Sequence, residues 1–319
     1  MVPKLRSGQA YFPPFLEPRR TIGKAPAAVV QEALTAGVPT RRVEDLVQAM
    51  DMGGVSKSQV PKLCKEIDER VSSFLERPLE GEWPYLWLDA TYLKQRQGER
   101  VISVAVTIAA AVNTEGRREI IRMSAGAPEA APFWIDVLRA LTRRGLKGVK
   151  LVVSDPHEGL KAAITQVLGA TSRRCRVHTM RNMIARVPRV QQSRATTAIR
   201  EVFVQPTYKA RELWRAIATS AYNRLSKLAG AMERAEEDVL AHMTFPAAHR
   251  TKLHSTNTLE RLNREVKRRA DVVGIFPSEA SILLLVGAVL MEQNDEWALQ
   301  HRYLSLEPSD GLTRGAAQP

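Results

Sequence analysis

The sequence predicts an α/β protein in which a mixed β-sheet is preceded by a small helical region and interrupted by a long all-helical stretch. Residues 85–124 hold three β-rich runs separated by short polar turns, residues 129–168 alternate between helical and strand patterns, and residues 177–250 show only helical periodicity. At 319 residues and 44% hydrophobic content, the chain is long enough to bury a core in one large domain or two smaller ones.

The N-terminal part divides into an irregular segment and a helical one. Residues 1–25 contain several prolines and basic residues and show no period. Residues 26–80 are predicted to form a small helical domain of three short helices, the second beginning at Thr40 and the third running through Val71. This outline is typical of a DNA-binding helix-turn-helix, although a plain helical bundle gives the same pattern. Pro61 counts against a regular third helix, because an interior proline costs about 3 kcal/mol.

Residues 84–306 are predicted to form the α/β domain. Its first three strands are joined by short turns, which favour sequential antiparallel pairing. The predicted elements are strands at 85–93, 101–113, 118–124 and 149–154, helices at 129–145 and 157–168, a candidate strand at 173–176, an all-helical insertion at about 177–250 and an apolar helix at 278–294. Residues 307–319 are rich in proline and glycine and are predicted to be a disordered tail.

Three acidic residues stand out by their settings. Asp89 closes the apolar run Leu-Trp-Leu-Asp, and Asp155 follows the apolar run Leu-Val-Val-Ser. Glu260 lies in a strongly basic stretch whose apolar residues recur every three to four positions, as on an amphipathic helix. Two strand-end aspartates and a helical glutamate can hold a pair of divalent metal ions, and such metal pairs catalyse in-line chemistry on phosphodiesters.

Each of the three acids also has a purely structural explanation. Asp155 begins Asp-Pro-His-Glu, so it could be the N-cap of the next helix, with Glu158 completing a capping box. Asp89 could belong to a turn after its strand. Glu260 shares its helical stripe with Asn263 and with cations, and this stripe could be a solvated face with salt bridges.

The charge balance favours a polyanionic partner. The formal net charge is +13, and residues 159–200 contain eight arginines and Lys161 without a single acid. Such a run would repel itself without an anion, and arginine suits planar contacts to phosphates and base edges. Nucleic acid is therefore the first candidate. The candidate contacts are Arg173, Arg174, Arg176 and Arg181 in this run, and Arg261, Arg264, Lys267, Arg268 and Arg269 around the predicted Glu260 helix.

Several function classes find no support in the sequence. There is no apolar signal core, and no apolar run approaches the ~18 residues of a membrane span. There is no Walker loop, Gly-rich dinucleotide motif or Gly-x-Ser-x-Gly, so no nucleotide cofactor is expected. Cys64 and Cys175 are the two cysteines, too few for a disulfide framework, which fits a reducing cytoplasm.

Cys175 and His178 form a Cys-x-x-His pair beside the predicted catalytic segment. The pair could be half of a zinc site, but a structural zinc normally takes four ligands, and no second Cys or His pair has suitable spacing. A Cys and a His that orient DNA or support the neighbouring acids are the better interpretation.

The chain resembles the bacterial insertion-sequence transposases of the Mutator-like superfamily. The resemblance covers nearly the whole chain, and five ordered motifs carry it, at 84–92 (Pro-Tyr-Leu-Trp-Leu-Asp-Ala-Thr-Tyr), 154–160 (Ser-Asp-Pro-His-Glu-Gly-Leu), 175–182 (Cys-Arg-Val-His-Thr-Met-Arg-Asn), 255–269 (the basic stretch around Glu260) and 272–277 (Val-Val-Gly-Ile-Phe-Pro). It implies an RNase H-like catalytic domain in which Asp89, Asp155 and Glu260 form a DDE triad that binds two Mg²⁺ or Mn²⁺ ions. The residues expected to support the triad are Cys175, His178, His157, Asn257 and Asn263.

The resemblance also implies an activity and its partners. The expected activity is metal-dependent nicking and strand transfer on double-stranded DNA, at the element's terminal inverted repeats and at the target. The protein is expected to act as a homo-oligomer, in the cytoplasm and at the nucleoid. The family carries a further N-terminal segment for end recognition, and this chain is expected to begin partway into it. Two alternatives stay open: an inactive relic that only binds DNA, and a nuclease that hydrolyses DNA without joining strands.

Overall fold

The computed structural model describes residues 60–126, 131–155, 157–254 and 256–304. The predicted segment 1–25, the first two helices predicted within 26–80 and the predicted tail 307–319 lie outside the described residues. Among the described residues, no helix combines the length and the apolarity that a membrane span needs.

A five-stranded mixed sheet forms the centre of the domain, in the order β3-β2-β1-β4-β5. Its strands are β1 (Tyr85–Gln97), β2 (Arg100–Val112), β3 (Arg118–Gly126), β4 (Leu151–Ser154) and β5 (Thr171–Arg174). The first three are antiparallel, as predicted, and β4 and β5 run parallel to β1. The α/β class with a mixed sheet is therefore confirmed.

Helices cover both faces of the sheet, and the alternation along β1 shows why. Tyr85 and Trp87 point into one core, with α1 (Val60–Glu76), α9 (Asn257–Val273) and α10 (Glu279–Leu299) on that side. Leu86 and Leu88 point into the other, beneath α2 (Ala131–Arg143) and α3 (Glu158–Leu168). Successive side chains of a strand face opposite sides, so an uninterrupted apolar run such as 85–88 indicates a strand that is buried on both faces.

Residues 176–253 are helical, in agreement with the prediction for 177–250. The elements are α4 (Arg176–Ile184), α5 (Arg189–Val202), α6 (Thr207–Ala221), α7 (Ser226–Leu240), a 3₁₀ turn (Ala241–Thr244) and α8 (Ala247–Leu253). They have a core of their own around Trp214, whose indole Nε1 donates a hydrogen bond to the Met232 carbonyl at 2.9 Å. The insertion therefore packs as a helical unit beside the sheet.

The segment after α9 pairs with the far end of β1. The Phe276 backbone N–H donates to the Lys94 carbonyl at 2.8 Å, and the Arg96 N–H donates to the Phe276 carbonyl at 2.7 Å. Phe276 itself is 1% exposed and belongs to the core beneath α9. These contacts attach the C-terminal end of α9 to the strand that carries Asp89.

The third N-terminal helix was expected to be disturbed by Pro61, and the described residues include Pro61 in α1 (Val60–Glu76). A proline is tolerated in the first turn of a helix, where backbone N–H groups have no acceptor within the helix, and is costly further in. Val71, near the other end of α1, is 4% exposed and packs against α10.

Replacement of Gly287 by alanine is expected to destabilise the protein by about 1 kcal/mol. Gly287 lies in α10, and an added Cβ would overlap with Cγ1 of Val71. Overpacking costs roughly 1–3 kcal/mol, which exceeds the ~1 kcal/mol that alanine gains over glycine in a helix. Urea unfolding would measure the change, and adding Val71→Ala should relieve it.

Gly230→Ala is the matched control in α7. There the nearest atom to a Cβ is the flexible end of Arg234, at 3.3 Å, so this change should be neutral or stabilising. A loss of stability in Gly230→Ala equal to that in Gly287→Ala would contradict the close α1–α10 contact.

Candidate active site

Asp89 lies in the middle of β1, opposite Ile108 of β2, and not at the end of a strand. The strand-end prediction was wrong because β1 continues past Asp89, with buried and exposed residues alternating. The parallel ladder between β1 and β4, however, stops at Trp87 and Val153. If the pairing continued in the same register, Asp155 would stand opposite Asp89. Both acids therefore lie just beyond the carboxyl end of this ladder, where ligands bind in open α/β sheets.

The Asp89 carboxylate is 9% exposed and is fixed through both of its oxygens. Oδ1 accepts a hydrogen bond from the Ala90 N–H at 3.0 Å, and Oδ2 accepts one from Asn263 Nδ2 at 2.8 Å. Burial and the nearby charge of Asp155 raise the pKa of Asp89 to about 6, although these hydrogen bonds act to lower it. Asn263 thus contacts the first predicted acid directly.

Asp155 follows the last residue of β4, and its carboxylate forms an ion pair with Nδ1 of His178. The alternative explanation of Asp155, a capping box with Glu158, is not what the structure shows. The N-cap of α3 is His157, whose Nδ1 accepts a hydrogen bond from the Leu160 N–H at 3.2 Å. With His157 capping the helix, the Asp155 side chain is left to face the site.

Glu260 lies in the first turn of α9, and its backbone N–H donates to the Thr256 carbonyl at 2.9 Å. Leu259, Leu262 and Val266 form the predicted buried stripe of this helix and face the sheet. The Glu260 side chain is 28% exposed, and its Oε1 lies 3.6 Å from His178 Nε2. The amphipathic pattern therefore puts Glu260 and Asn263 at the edge between the sheet and solvent.

His178 connects the second and third acids. It lies in the first turn of α4 and contacts Asp155 through Nδ1, while Nε2 faces Glu260. The Asp155 carboxylate and Cys175 raise the pKa of His178 to about 10 and outweigh the lowering effect of burial. The imidazole is therefore cationic at neutral pH, between two carboxylates.

Cys175 is fully buried and joins two segments. Its backbone N–H donates to the Ser154 carbonyl at 2.8 Å, next to Asp155. Its Sγ accepts hydrogen bonds from the N–H and Oγ1 of Thr256 at 3.4 and 3.2 Å, at the start of α9. Burial acts to raise the pKa of Cys175, but the hydrogen bonds with His178 and Thr256 outweigh it and the pKa is lowered.

Two sets of side chains are candidates to hold a metal ion, and both include Asp155, but within the described residues only the second has its ligand atoms all close together. Asp89, Asp155 and Glu260 offer only carboxylate oxygens, the ligands that Mg²⁺ and Mn²⁺ prefer. Glu260 Oε1 is enclosed and accepts no hydrogen bond from the described residues, and Asp89 and Asp155 repel each other. Both observations fit a site that binds a cation. The second set is Asp155, Cys175 and His178, and one ligand atom from each lies within 4.8 Å of the others. It is the softer set because a thiolate and an imidazole replace two of the carboxylates.

The other two residues expected to support the triad lie elsewhere. Besides capping α3, His157 contacts the Trp134 ring, with the ring centroids 6.1 Å apart. None of its contacts among the described residues is with an acid of the triad. Asn257 is the first residue of α9 and lines an open groove beside Glu260.

Arg173 has to be removed from the predicted DNA contacts. Its side chain is 0% exposed, and its guanidinium donates to the backbone carbonyls of Leu253 and Val239. A buried arginine that joins β5 to the insertion cannot contact DNA. Burial also lowers its pKa to about 9.

The acid-free run 159–200 is partly neutralised by an acid from the insertion. Asp238 of α7 is 5% exposed and accepts from both Arg174 and Lys161 at 2.8 Å. Arg174 also pairs with Glu158 at 3.0 Å. The run therefore needs an external anion less than its composition suggests. No local sequence pattern marks Asp238 as the partner of these cations.

The remaining predicted DNA contacts fall into two groups. Arg268 and Arg269 are paired with Glu265 at 2.7 and 2.8 Å, and Arg176 is half-buried against the Phe203 ring. The exposed members, which form no ion pair with other described residues, are Arg181, Arg261, Arg264 and Lys267.

Comparisons with known proteins identify the family of the chain. Residues 1–300 match the family described as "Transposase, Mutator family". The chain is 42% identical over 320 residues to the transposase for insertion sequence element IS1081 of Mycobacterium tuberculosis, covering 99% of this chain and 76% of that protein. It is 39% identical to the IS406 transposase of Burkholderia multivorans (96% and 80% covered) and 34% identical to the IS256 transposase of transposon Tn4001 from Staphylococcus aureus (94% and 78% covered). The chain therefore belongs to the Mutator family of transposases, which carry out DNA transposition.

Proposed function

We propose that Asp89, Asp155 and Glu260 are the catalytic triad for nicking and strand transfer at the ends of an insertion sequence. The family implies DNA cleavage and strand transfer with a divalent metal. What supports the triad is a chain of contacts between three separate elements. Asn263 of α9 binds Asp89 of β1 at 2.8 Å, and His178 contacts both Asp155 after β4 and Glu260 of α9.

The three carboxylates would hold two Mg²⁺ or Mn²⁺ ions. Such a pair of ions activates a water or a DNA 3′-hydroxyl and stabilises the leaving 3′-oxygen. Asn263 fixes the Asp89 carboxylate by donating to one of its oxygens. His178 holds Asp155 and Glu260 in position, and Cys175 holds the start of α9 through Thr256. His178, Cys175 and Asn263 are thus positioning residues.

The same proposal extends to the domains and partners. The mixed sheet and the helical insertion support an RNase H-like catalytic domain at 84–306, and the segment at 26–80 would be a helix-turn-helix domain that binds DNA. Exposed cations such as Arg181 and Lys267 would contact the backbones of the terminal repeats and the target. Two DNA ends must be processed together, so a homo-oligomer on DNA is proposed, in the cytoplasm at the nucleoid.

A gel assay on labelled element-end DNA tests the proposed activity. Incubation with Mg²⁺ or Mn²⁺ should give nicked ends, and a second labelled duplex should then become joined to them. Nicking without joining would identify a plain nuclease. Salt-sensitive binding without any product, with or without metal, would identify a protein that only binds DNA.

Replacement of Cys175 by serine is expected to lower Mn²⁺-dependent nicking by less than about tenfold. A serine hydroxyl can still accept from Thr256, so the position of Glu260 is largely kept, and the loss stays near the ~1 kcal/mol of one weakened hydrogen bond. The softer set of Asp155, Cys175 and His178 would instead need the thiolate. Two results together would contradict the all-carboxylate site. Cys175→Ser would lose all activity, and the unmodified protein would be active with Zn²⁺ as the only metal supplied.

A further inference from the structure

An open groove of about 730 Å³ begins at Glu260 and runs between α9 and the C-terminal part of α10. Lys252, Arg261 and Arg264 line it, as do Trp297 and Tyr303. Its size is that of a site for a single cofactor-sized ligand, ~300–1,000 Å³. The groove therefore suits a short piece of one strand more than the full width of a duplex.

The groove carries excess positive charge. Arg261 and Arg264 are three residues apart on α9 and share one helix face, while Lys252 comes from α8. All three are exposed and, within the described part of the chain, form no ion pair. Glu260 is the one acidic residue among the described lining residues. A phosphate backbone that approaches Glu260 through this groove thus meets three cations.

An aromatic wall forms the opposite side. The Arg118 guanidinium lies between two rings, 3.5 Å from the Trp297 centroid and 4.3 Å from the Tyr303 centroid. Trp297 is 9% exposed, but Tyr303 is only half-buried, and Lys252 Nζ lies 5.2 Å from its ring. Arg118 thus stabilises Tyr303 in a fixed position at the groove.

We propose that this groove binds a single DNA strand, with its phosphates on Lys252, Arg261 and Arg264 and one base against Tyr303. Cations along a groove together with an aromatic ring are the combination by which proteins bind single strands, since every unpaired base has a π-face to stack. In a duplex those faces are already stacked. The inference rests on the proposed triad in one respect, because it brings the strand to Glu260.

The charge side of the groove is tested by oligonucleotide binding to the full chain in EDTA. Lys252→Gln with Arg264→Gln should weaken binding of a short fluorescein-labelled single strand by about tenfold. The slope of log affinity against log salt should become shallower by ~1.4, since each lost phosphate contact is worth ~0.7 for single strands. The control pair is Arg224→Gln with Lys227→Gln, which removes the same charge from exposed residues just before α7 and in its first turn. An equal loss in both pairs, or an unchanged slope, would overturn the proposal.

Photocross-linking tests the aromatic side in the unmodified protein. A single strand containing 5-bromouracil should cross-link to the peptide that holds Tyr303, and excess duplex of the same sequence should compete poorly. Cross-links confined to other helices, or equal competition by duplex, would overturn the proposal. Both experiments are done without metal, so their outcome is independent of whether the three acids catalyse.

Discussion

Glu260→Gln is expected to lower metal-dependent nicking and strand transfer by about 1,000-fold or more. The change removes one charge and one carboxylate ligand from a site where bound metal contributes several kcal/mol, and ~4 kcal/mol corresponds to ~10³ in rate. The side chain keeps its size, and α9 is held by Leu259 and Leu262 in the core, so the fold should be unaffected. Initial rates on element-end DNA with Mn²⁺ would measure the loss.

The same variant should bind end DNA at least as well as the unmodified protein, because a negative charge next to the phosphate backbone is removed. Glu233→Gln is the matched control, an exposed glutamate on α7 at a distance from the acids, and its activity should be unchanged. Asp89→Asn and Asp155→Asn should reproduce the loss. Retention of nicking within tenfold in any of the three variants would remove that acid from the triad.

Asp238→Asn is expected to lower the free energy of unfolding by about 2 kcal/mol. Breaking a buried ion pair typically costs ~3–5 kcal/mol, because the partner charge is left unpaired. Here the Lys161 and Arg174 side chains are 46% and 21% exposed, so water compensates part of that cost. Urea unfolding followed by circular dichroism would measure the change.

The neighbouring residue supplies the control for this experiment. Glu237 also forms an ion pair, with Arg211 at 2.8 Å, but its side chain is 74% exposed. Exposed pairs contribute at most about 1 kcal/mol, so Glu237→Gln should change stability by less than half as much as Asp238→Asn. Equal losses of unfolding free energy in the two variants would show that the burial of Asp238 does not determine how much its ion pairs stabilise the protein.

The regular elements could be predicted because their patterns are local. The antiparallel strands, the buried stripe of α9 and the helical insertion all follow from periodicity within a window of a few turns. Predictions for individual residues were wrong where two local explanations competed. Asp155 and His157 were both able to cap α3, and the apolar run ending at Asp89 suggested a strand end there although the strand was predicted to reach residue 93 and extends to Gln97.

Contacts between distant segments could not be predicted from local patterns. Arg173 belongs to a basic run, yet it is buried against Val239 and Leu253, which lie 66 and 80 residues further along. Asp238 looks like any acid on a charged helix. The bridging position of His178 depends on β4, α4 and α9 together. The resemblance to a family singled out His178, but it did not predict which residues His178 contacts.

The backbone pairing of Phe276 with Lys94 and Arg96 has a consequence for how the molecule avoids aggregation. The short β4 leaves the far half of β1 unpaired on one side, and an unpaired strand edge is a template for the strand of another chain. The segment after α9 covers part of this edge with two hydrogen bonds. Substitution of Phe276 by a small residue would remove the buried side chain that anchors this cover, and intermolecular β-pairing and precipitation would then be expected.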